Sequence, residues 1–283
     1  METGGNSPNL IQANNFNIAL SQQYHLSIEV GLNNFSFCIL DTKILCYTYL
    51  ENHIFSVNSI EKSASKLRSI INNNHILKAN FYSISVAYKG FPNTLVPLSL
   101  FNKDNEKDFL DFNTTPFDKI YSDEIKLQEA KLVYSVPENI NSIIDSFFPK
   151  ANFHAQESNL INQYSQLQNF DTKAYINISD SRILITIFKN GRLLFNNSFS
   201  FSTKEDILYY TLFSFEQLKL STENIEVELF GRINKEDEKY KILYDYIRNI
   251  SFGKDITGVL FANEFKNIDK HQYYALFSQV LCA

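Results

Sequence analysis

Glycine is scarce in this 283-residue chain: there are 8, and Gly4 and Gly5 sit in the polar leader. A loop that wraps backbone amides around phosphate needs glycine where the ligand approaches closest, so few such loops can exist here. No P-loop and no dinucleotide fingerprint occurs. GxSxG is absent too, and with it the strained nucleophile turn of Ser/His/Asp hydrolases. The cysteines number three, Cys38, Cys46 and Cys282, an odd total with no CxxC spacing. They build no disulfide framework, and Cys38 and Cys46 fall in strands, where reduced buried thiols are ordinary. A reducing cytoplasm is the compartment this implies.

Five histidines, His25, His53, His75, His154 and His271, show no i, i+4 spacing and none flanks a cysteine at ligand spacing. Zinc chemistry is therefore not expected, and hydrogen-bonded or surface histidines are. No apolar run approaches the roughly 20 residues that cross a bilayer, and Met1 to Pro8 lacks the basic start and apolar stretch of a signal peptide. A cytoplasmic protein without a membrane span is the expectation. The net charge of −5 is spread along the chain, and no basic stripe interleaves with exposed aromatics. Nucleic-acid binding has little electrostatic support, although a local basic patch can exist on an acidic protein.

What the chain does have is a hydrophobic fraction of 44%, with 25 Phe and 16 Tyr, enough for two ordinary cores. It also repeats itself. LSIEVGLNNFSFCILDTKILCYTYL, from Leu26 to Leu50, returns from Ala174 as AYINISDSRILITIFKNGRLLFNNSF. At one constant offset Ile28 and Val30 fall on Ile176 and Ile178, and Phe35, Phe37 and Ile39 on Ile183, Ile185 and Ile187. A one-residue slip in the second turn then sets Ile44 on Leu193. The apolar/polar alternation predicts half-buried strands, three per copy, joined at Leu32-Asn33-Asn34 or Ser179-Asp180-Ser181 and again at Asp41-Thr42-Lys43 or Lys189 to Arg192.

A helix follows each meander. Ser59 caps the first, with Ile60, Ala64, Leu67 and Ile71 on one face and Asn72 to Asn74 ending it. Ser202 to Glu205 reads as a capping box for the second, with Leu208, Leu212 and Phe215 as its buried stripe. Phe81 to Gly90 and Asn224 to Gly231 are the fourth strands. The first copy then inserts about 45 residues, roughly 91–136, with a charged stretch from Asn102 to Asp111 expected as a solvated loop and a strand-like segment from Lys126 to Val136. Each copy closes with helix, strand, helix: 140–147, 151–155 and 159–167 in the first, and 235–250, 258–262 and a helix from Lys270 in the second. The expected organisation is a disordered or loosely packed segment 1–22, a lobe 23–170 and a lobe 171–283, with the boundary at Gln168 to Asp171. It is an α/β fold of two βββαβαβα lobes.

That duplicated order resembles the actin, Hsp70 and sugar-kinase superfold, an actin-like, ribonuclease H-like ATPase architecture. Within it, IEVGLNNFSFCILD, NTLVPLSLF, FPKANFHAQESNLI and INISDSRILITIFKNGRLLF resemble the bacterial domain-of-unknown-function family 3822, whose members have this fold. The superfold's ATPases hold phosphate between the halves on two glycine-rich hairpins. The resemblance lays the first on Ile28, Glu29, Val30, Gly31 and Leu32: a carboxylate at Glu29 and a glycine at Gly31 remain, but Leu32 replaces a hydroxyl. It lays the second on Asn177, Ile178, Ser179, Asp180, Ser181 and Arg182, with no glycine and with Asn177 for an acid. Asp180 would set an anion where phosphate should lie. The adenosine-side glycine pair keeps only Gly231.

These positions, Glu29, Gly31, Asn177, Ser179, Asp180 and Gly231, are a degenerate nucleotide site in this reading, with no catalytic residue, no metal and no cofactor. Glu29 as a water-mediated magnesium ligand is the functional alternative; a polar residue lining a strand is the plain one. Asp180 and Arg182 read as turn residues. The implied role is a non-catalytic scaffold that binds another protein through the interlobe cleft or the insertion. Tyr209, Tyr210 and Phe213 are either a partner-binding patch or the rim of a helix on its sheet. Two alternatives stay open: a divergent ATPase or small-molecule kinase retaining Mg-ATP, and a cytosolic platform of an envelope assembly machine.

Overall fold

The computed structural model describes residues 10–167 and 171–281. Gln168 to Phe170, where the lobe boundary was expected, lie outside the described residues, as does Cys282. By contact, the chain through Leu160 together with Ile256–Ile268 and the residues from Leu276 on forms one compact unit, and Ile161–Asp255 with Asp269–Ala275 forms a second.

In the first unit β1 (Leu10–Gln12) precedes the meander β2 (Tyr24–Val30), β3 (Asn34–Asp41) and β4 (Cys46–Ile54). Helix α1 (Ile60–Asn73) and β5 (Ser83–Tyr88) follow. The insertion carries β6 (Asn93–Pro97), α2 (Glu106–Asp111), β7 (Lys119–Ile125) and β8 (Ala130–Val136). Then come α3 (Glu138–Phe147), β9 (Asn152–Ala155) and α4 (Gln156–Gln166), of which residues 156–160 belong to this unit. The main sheet runs β1-β4-β3-β2-β5-β9, and the insertion is a sheet of its own, β6-β8-β7. The second unit repeats the order with β10 (Lys173–Ile178), β11 (Arg182–Lys189), β12 (Arg192–Ser200), α5 (Lys204–Gln217), β13 (Glu226–Gly231), α6 (Glu238–Tyr246) and β14 (Asn249–Phe252). Its sheet runs β12-β11-β10-β13-β14. After it, β15 (Leu260–Phe261) pairs in parallel with β4, and α7 (Tyr274–Phe277) lies near the end of the described chain.

The duplication holds at the level of register. Val30 pairs with Phe35 and Ile28 with Phe37; 148 residues later Ile178 pairs with Ile183 and Ile176 with Ile185. Each copy carries a bulge at the same place, after Ile39 in β3 and after Ile187 in β11. The third strand corrects the alignment: Tyr47 and Tyr49 stand where Leu193 and Phe195 stand, and Ile44 lies in the turn, largely exposed. The reason is turn length. Asn190 and Gly191, both at positive φ, close β11 to β12 in two residues, whereas β3 and β4 are joined through Thr42 to Leu45.

Other elements depart from the sequence expectation. The central meander strands β2, β3, β10 and β11 are covered on both faces, and β2 is buried at every residue, polar His25, Ser27 and Glu29 included. The last segment of the chain supplies part of that cover. Gln279 donates to the Ile28 carbonyl at 3.0 Å and accepts from Ser85 at 2.9 Å, while Tyr47 donates to the Phe277 carbonyl. Residues 10–13 are not loose; Ile11 and Ala13 are buried, and β1 pairs with β4. The cap of α5 is Thr203 with Asp206, one residue beyond the expected box, because Asp206 reaches back to the Thr203 amide. Its buried face is accordingly Ile207, Thr211, Ser214 and Phe215. The charged stretch of the insertion is a helix and not a solvated loop: Leu110 of α2 is buried with Val96 and Val133 in a small core of its own. Lys126 to Val136 is broken by a 3-10 turn at Lys126–Gln128 and by Glu129 at φ 48°. In the second copy the strand beside β13 is β14, and the expected strand near 258–262 joins the first unit's sheet.

Candidate functional site

The first hairpin, between β2 and β3, closes with the Gly31 amide on the Asn34 carbonyl at 3.0 Å. Its tip is tied down from outside: Ser63 of α1 donates to the Leu32 carbonyl at 2.7 Å, and the Phe55 amide to the Asn33 carbonyl at 3.0 Å. A Cβ on Gly31 would stand 2.3 Å from Asn34 Oδ1, so the space that glycine leaves is filled by the chain's own side chain.

Glu29 lies one residue from the end of β2 and is buried, 6% exposed. Its Oε1 accepts from Lys89 Nζ at 2.8 Å and from Asn34 Nδ2 at 3.4 Å; its Oε2 accepts from Gln156 Nε2 at 2.5 Å. A carboxylate with so little water needs such partners, since an uncompensated buried charge costs several kcal/mol. Lys89 is the first residue after β5 and Gln156 the first of α4, so three elements converge on one side chain.

The second hairpin, between β10 and β11, has the same closure: Ser179 N to the Arg182 carbonyl at 2.8 Å and Phe201 N to the Ser181 carbonyl at 3.0 Å. Asp180 in the loop pairs with Arg232 at 2.7 Å, so its charge is compensated. Arg182 points instead to Ser198. Gly231 ends β13 opposite Ile178, with φ 79°. A Cβ there would lie 2.1 Å from the Ile178 carbonyl and 2.9 Å from Asn177 Oδ1, and Arg232 N donates to that same Ile178 carbonyl at 2.6 Å. This glycine serves the close approach of two backbones.

The structure thus gathers Glu29 with Gly31 at one hairpin and Asn177, Ser179 and Asp180 with Gly231 at the other. Sequence reasoning missed Lys89, Asn34, Gln156 and Arg232. A signal existed for two of them: each is the cation directly after the fourth strand of its copy. Among the described residues no three His, Cys, Asp or Glu side chains are placed to hold a metal ion, and no helix is long and apolar enough to cross a membrane. Cys38 is buried, Cys46 half-buried, and both are free thiols; burial pushes the Cys38 thiol well above its ordinary range.

A solved protein from Bacteroides thetaiotaomicron VPI-5482, described as having an actin-like ATPase fold and unknown function, is similar over 93% of this chain and 98% of its own. The identity is 21% and the TM-score 0.77. The PilM-PilN type IV pilus biogenesis complex is similar over 91% of this chain and 96% of that one, at 11% identity and a TM-score of 0.55. No protein of curated function matches significantly. The chain therefore has the actin-like ATPase fold. Residues 13–250 match the family DUF3822, described as a protein of unknown function, and the chain belongs to that family.

Proposed function

We propose that this protein is a non-catalytic, actin-like scaffold that works by binding another protein in the cytoplasm. On this reading the lobes read at 23–170 and 171–283 are two copies of one ancestral unit that has kept its shape and given up its nucleotide. The observation that carries it is the Glu29 carboxylate, satisfied by Lys89, Asn34 and Gln156. With three of its roughly four lone-pair sites taken inside the protein and little water around it, the carboxylate is poorly placed to hold hydrated magnesium. The amides of Gly31 and Ser179 are likewise spent within their own hairpins, and Asn34 fills the place beside Gly31 that a phosphate oxygen would take. These residues do not fit Mg-ATP, and we derive no chemistry through it.

Isothermal titration with Mg-ATP tests this. No saturable heat at micromolar nucleotide is expected. Saturable micromolar binding that Glu29→Ala abolishes overturns the reading, as does a native-lysate pull-down that is reproducibly empty. A second reading, a platform of an envelope assembly machine, draws on the fold shared with PilM, which occurs in a solved complex with PilN. It predicts co-fractionation with membranes although no described helix spans one.

A further inference from the structure

The two copies provide an internal control, because strand for strand they do the same structural work. β4 and β12 are counterparts through the shared bulge, Tyr49 standing for Phe195. The outer edge of β4 is covered twice. β1 lies on it antiparallel, Ile11 opposite Leu50 and the Ala13 amide on the Thr48 carbonyl at 2.8 Å, and β15 lies beside Cys46 and Tyr47. Among the described residues no strand lies on the outer edge of β12 along Leu194–Ser200. Thr48 and Leu50 have Leu194 and Asn196 as their counterparts. The backbone parity is fixed by Ser198, whose amide donates to the Asn197 side chain and so points away from β11. Asn196 and Ser200 share that parity and turn their amides and carbonyls outward, whereas Leu194 is the extra residue of the bulge. LFNNSFS holds no charge and no proline, the usual devices against strand addition, and of its outward amides only that of Ser198 is taken, by the Asn197 side chain.

Next to this open edge the second copy carries a ladder of rings that the first lacks. Phe199 of β12 stacks on Tyr210 at 4.5 Å; Tyr210 meets Tyr209 at 5.4 Å, and Tyr209 stacks on Phe213 at 5.8 Å. Tyr209 is 60% exposed and Phe213 42%. Both α1 and α5 have 14 residues and begin after a hydroxyl cap, Ser59 or Thr203. Aligned on those caps, Tyr209, Tyr210 and Phe213 correspond to Ser65, Lys66 and Ser69, and the strand register sets Phe199 on His53. The same helix on the same sheet is therefore built with polar residues where the edge is covered and with exposed aromatics where it is open. The fold does not require those rings.

We propose that β12 accepts an extended segment of a partner polypeptide as an added antiparallel strand, with alternate apolar side chains resting on the Phe199–Tyr210–Tyr209–Phe213 ladder. Main-chain pairing at Asn196 and Ser200 supplies register, and the rings supply selection for large apolar or aromatic residues at every second position. The occupant's form is the one the molecule itself uses at the equivalent edge, where β1 adds to β4. This deepens the scaffold reading and rests on it.

A displayed library of ten-residue peptides selected on the full-length chain tests it. The expected winners alternate large apolar with polar residues. By fluorescence anisotropy they lose at least about tenfold in affinity with Ser200→Pro and with Phe213→Ser. N-methylation of one alternate set of peptide amides abolishes binding while the other set tolerates it. Proline at Ser200 removes an outward amide at the end of the edge strand and Phe213→Ser installs the sister helix's residue, so both variants keep the wild-type melting temperature within a few degrees. Overturning results are no enrichment, binding indifferent to Ser200→Pro, or self-association in sedimentation that Ser200→Pro abolishes, since the occupant is then a second copy. A protein partner that Ser200→Pro leaves bound sinks this surface and leaves the scaffold reading standing.

Discussion

Lys89 and Arg232 are counterparts: each is the first residue after the fourth strand of its copy, and each sets a cation on a hairpin carboxylate. Lys89 Nζ lies 2.8 Å from Glu29, and Arg232 Nη1 lies 2.7 Å from Asp180. The distances match, but the surroundings do not. Glu29 is buried inside β2, whereas Asp180 stands in a loop, largely in water.

Burial decides what each pair is worth. Lys89→Ala strands a buried carboxylate and should destabilise the fold by about 3 kcal/mol in urea unfolding. Arg232→Ala breaks an exposed pair and should cost less than about 1 kcal/mol. Combining Lys89→Met with Glu29→Gln should recover most of the first loss, because the charge then goes with its partner. Equal costs for the two single variants would contradict this account.

The two site glycines should part company in the same way. Gly231→Ala forces a left-handed φ on an L-residue and drives a methyl against the Ile178 carbonyl, a loss of about 3 kcal/mol or more. Gly31→Ala meets the Asn34 side chain, which can swing aside, and only brushes the Lys89 carbonyl at 3.3 Å, so its cost should be about 1 kcal/mol. Thermal melts of the two variants check this.

Acid should unfold the protein earlier than its carboxylates alone would suggest. Burial, with some help from the neighbouring His154, lowers His25 to about 4, and burial lowers His154 to about 4 as well. Ordinary histidine titrates near 6.5, so the unfolded chain takes up these protons first. The stability they represent is complete above pH 6.5 and drains away as pH falls toward 4, about 3 kcal/mol for each ring at most. Asp123 works the other way. Burial raises it to about 6 despite bonds from Ser158, the Ala155 amide and Tyr134, so its contribution is lost as pH rises from 4 to 6. One histidine and the aspartate nearly cancel. The expected net drop between pH 6.5 and 4 is about 3 kcal/mol, roughly doubling in Asp123→Asn. Melting temperatures across that range decide it.

The insertion has a core of its own and should loosen on its own. Leu110→Ala removes the side chain buried against Val96 and Val133, at a cost of about 2–5 kcal/mol. Hydrogen exchange should speed up in β6, β7 and β8 and stay unchanged in β10 to β14.

The duplication could be read because the apolar residues of β2, β3, β10 and β11 recur at a single offset and nothing intervenes between those strands. The correspondence of the third strands could not, because the two extra turn residues between β3 and β4 shift β4 by an even number and leave no mark in the alternation. Periodicity also reports only which face is apolar. It placed Glu29 on the polar side of its strand but did not show that Gln279, Gln156 and Lys89 cover that side. β15 has only two residues, too short for any pattern, and its partner lies more than 200 residues upstream. At the candidate site the hairpin residues were legible and their partners were not, since each partner arrives from a different element.

The return of β15 and of Gln279 to the first sheet has a bearing on biogenesis. An N-terminal lobe usually completes its folding while the ribosome is still making the rest. Here the outer flank of β4 and the polar underside of β2 wait for residues translated more than 200 positions later. The early lobe must therefore persist as an unfinished body while the second lobe is made.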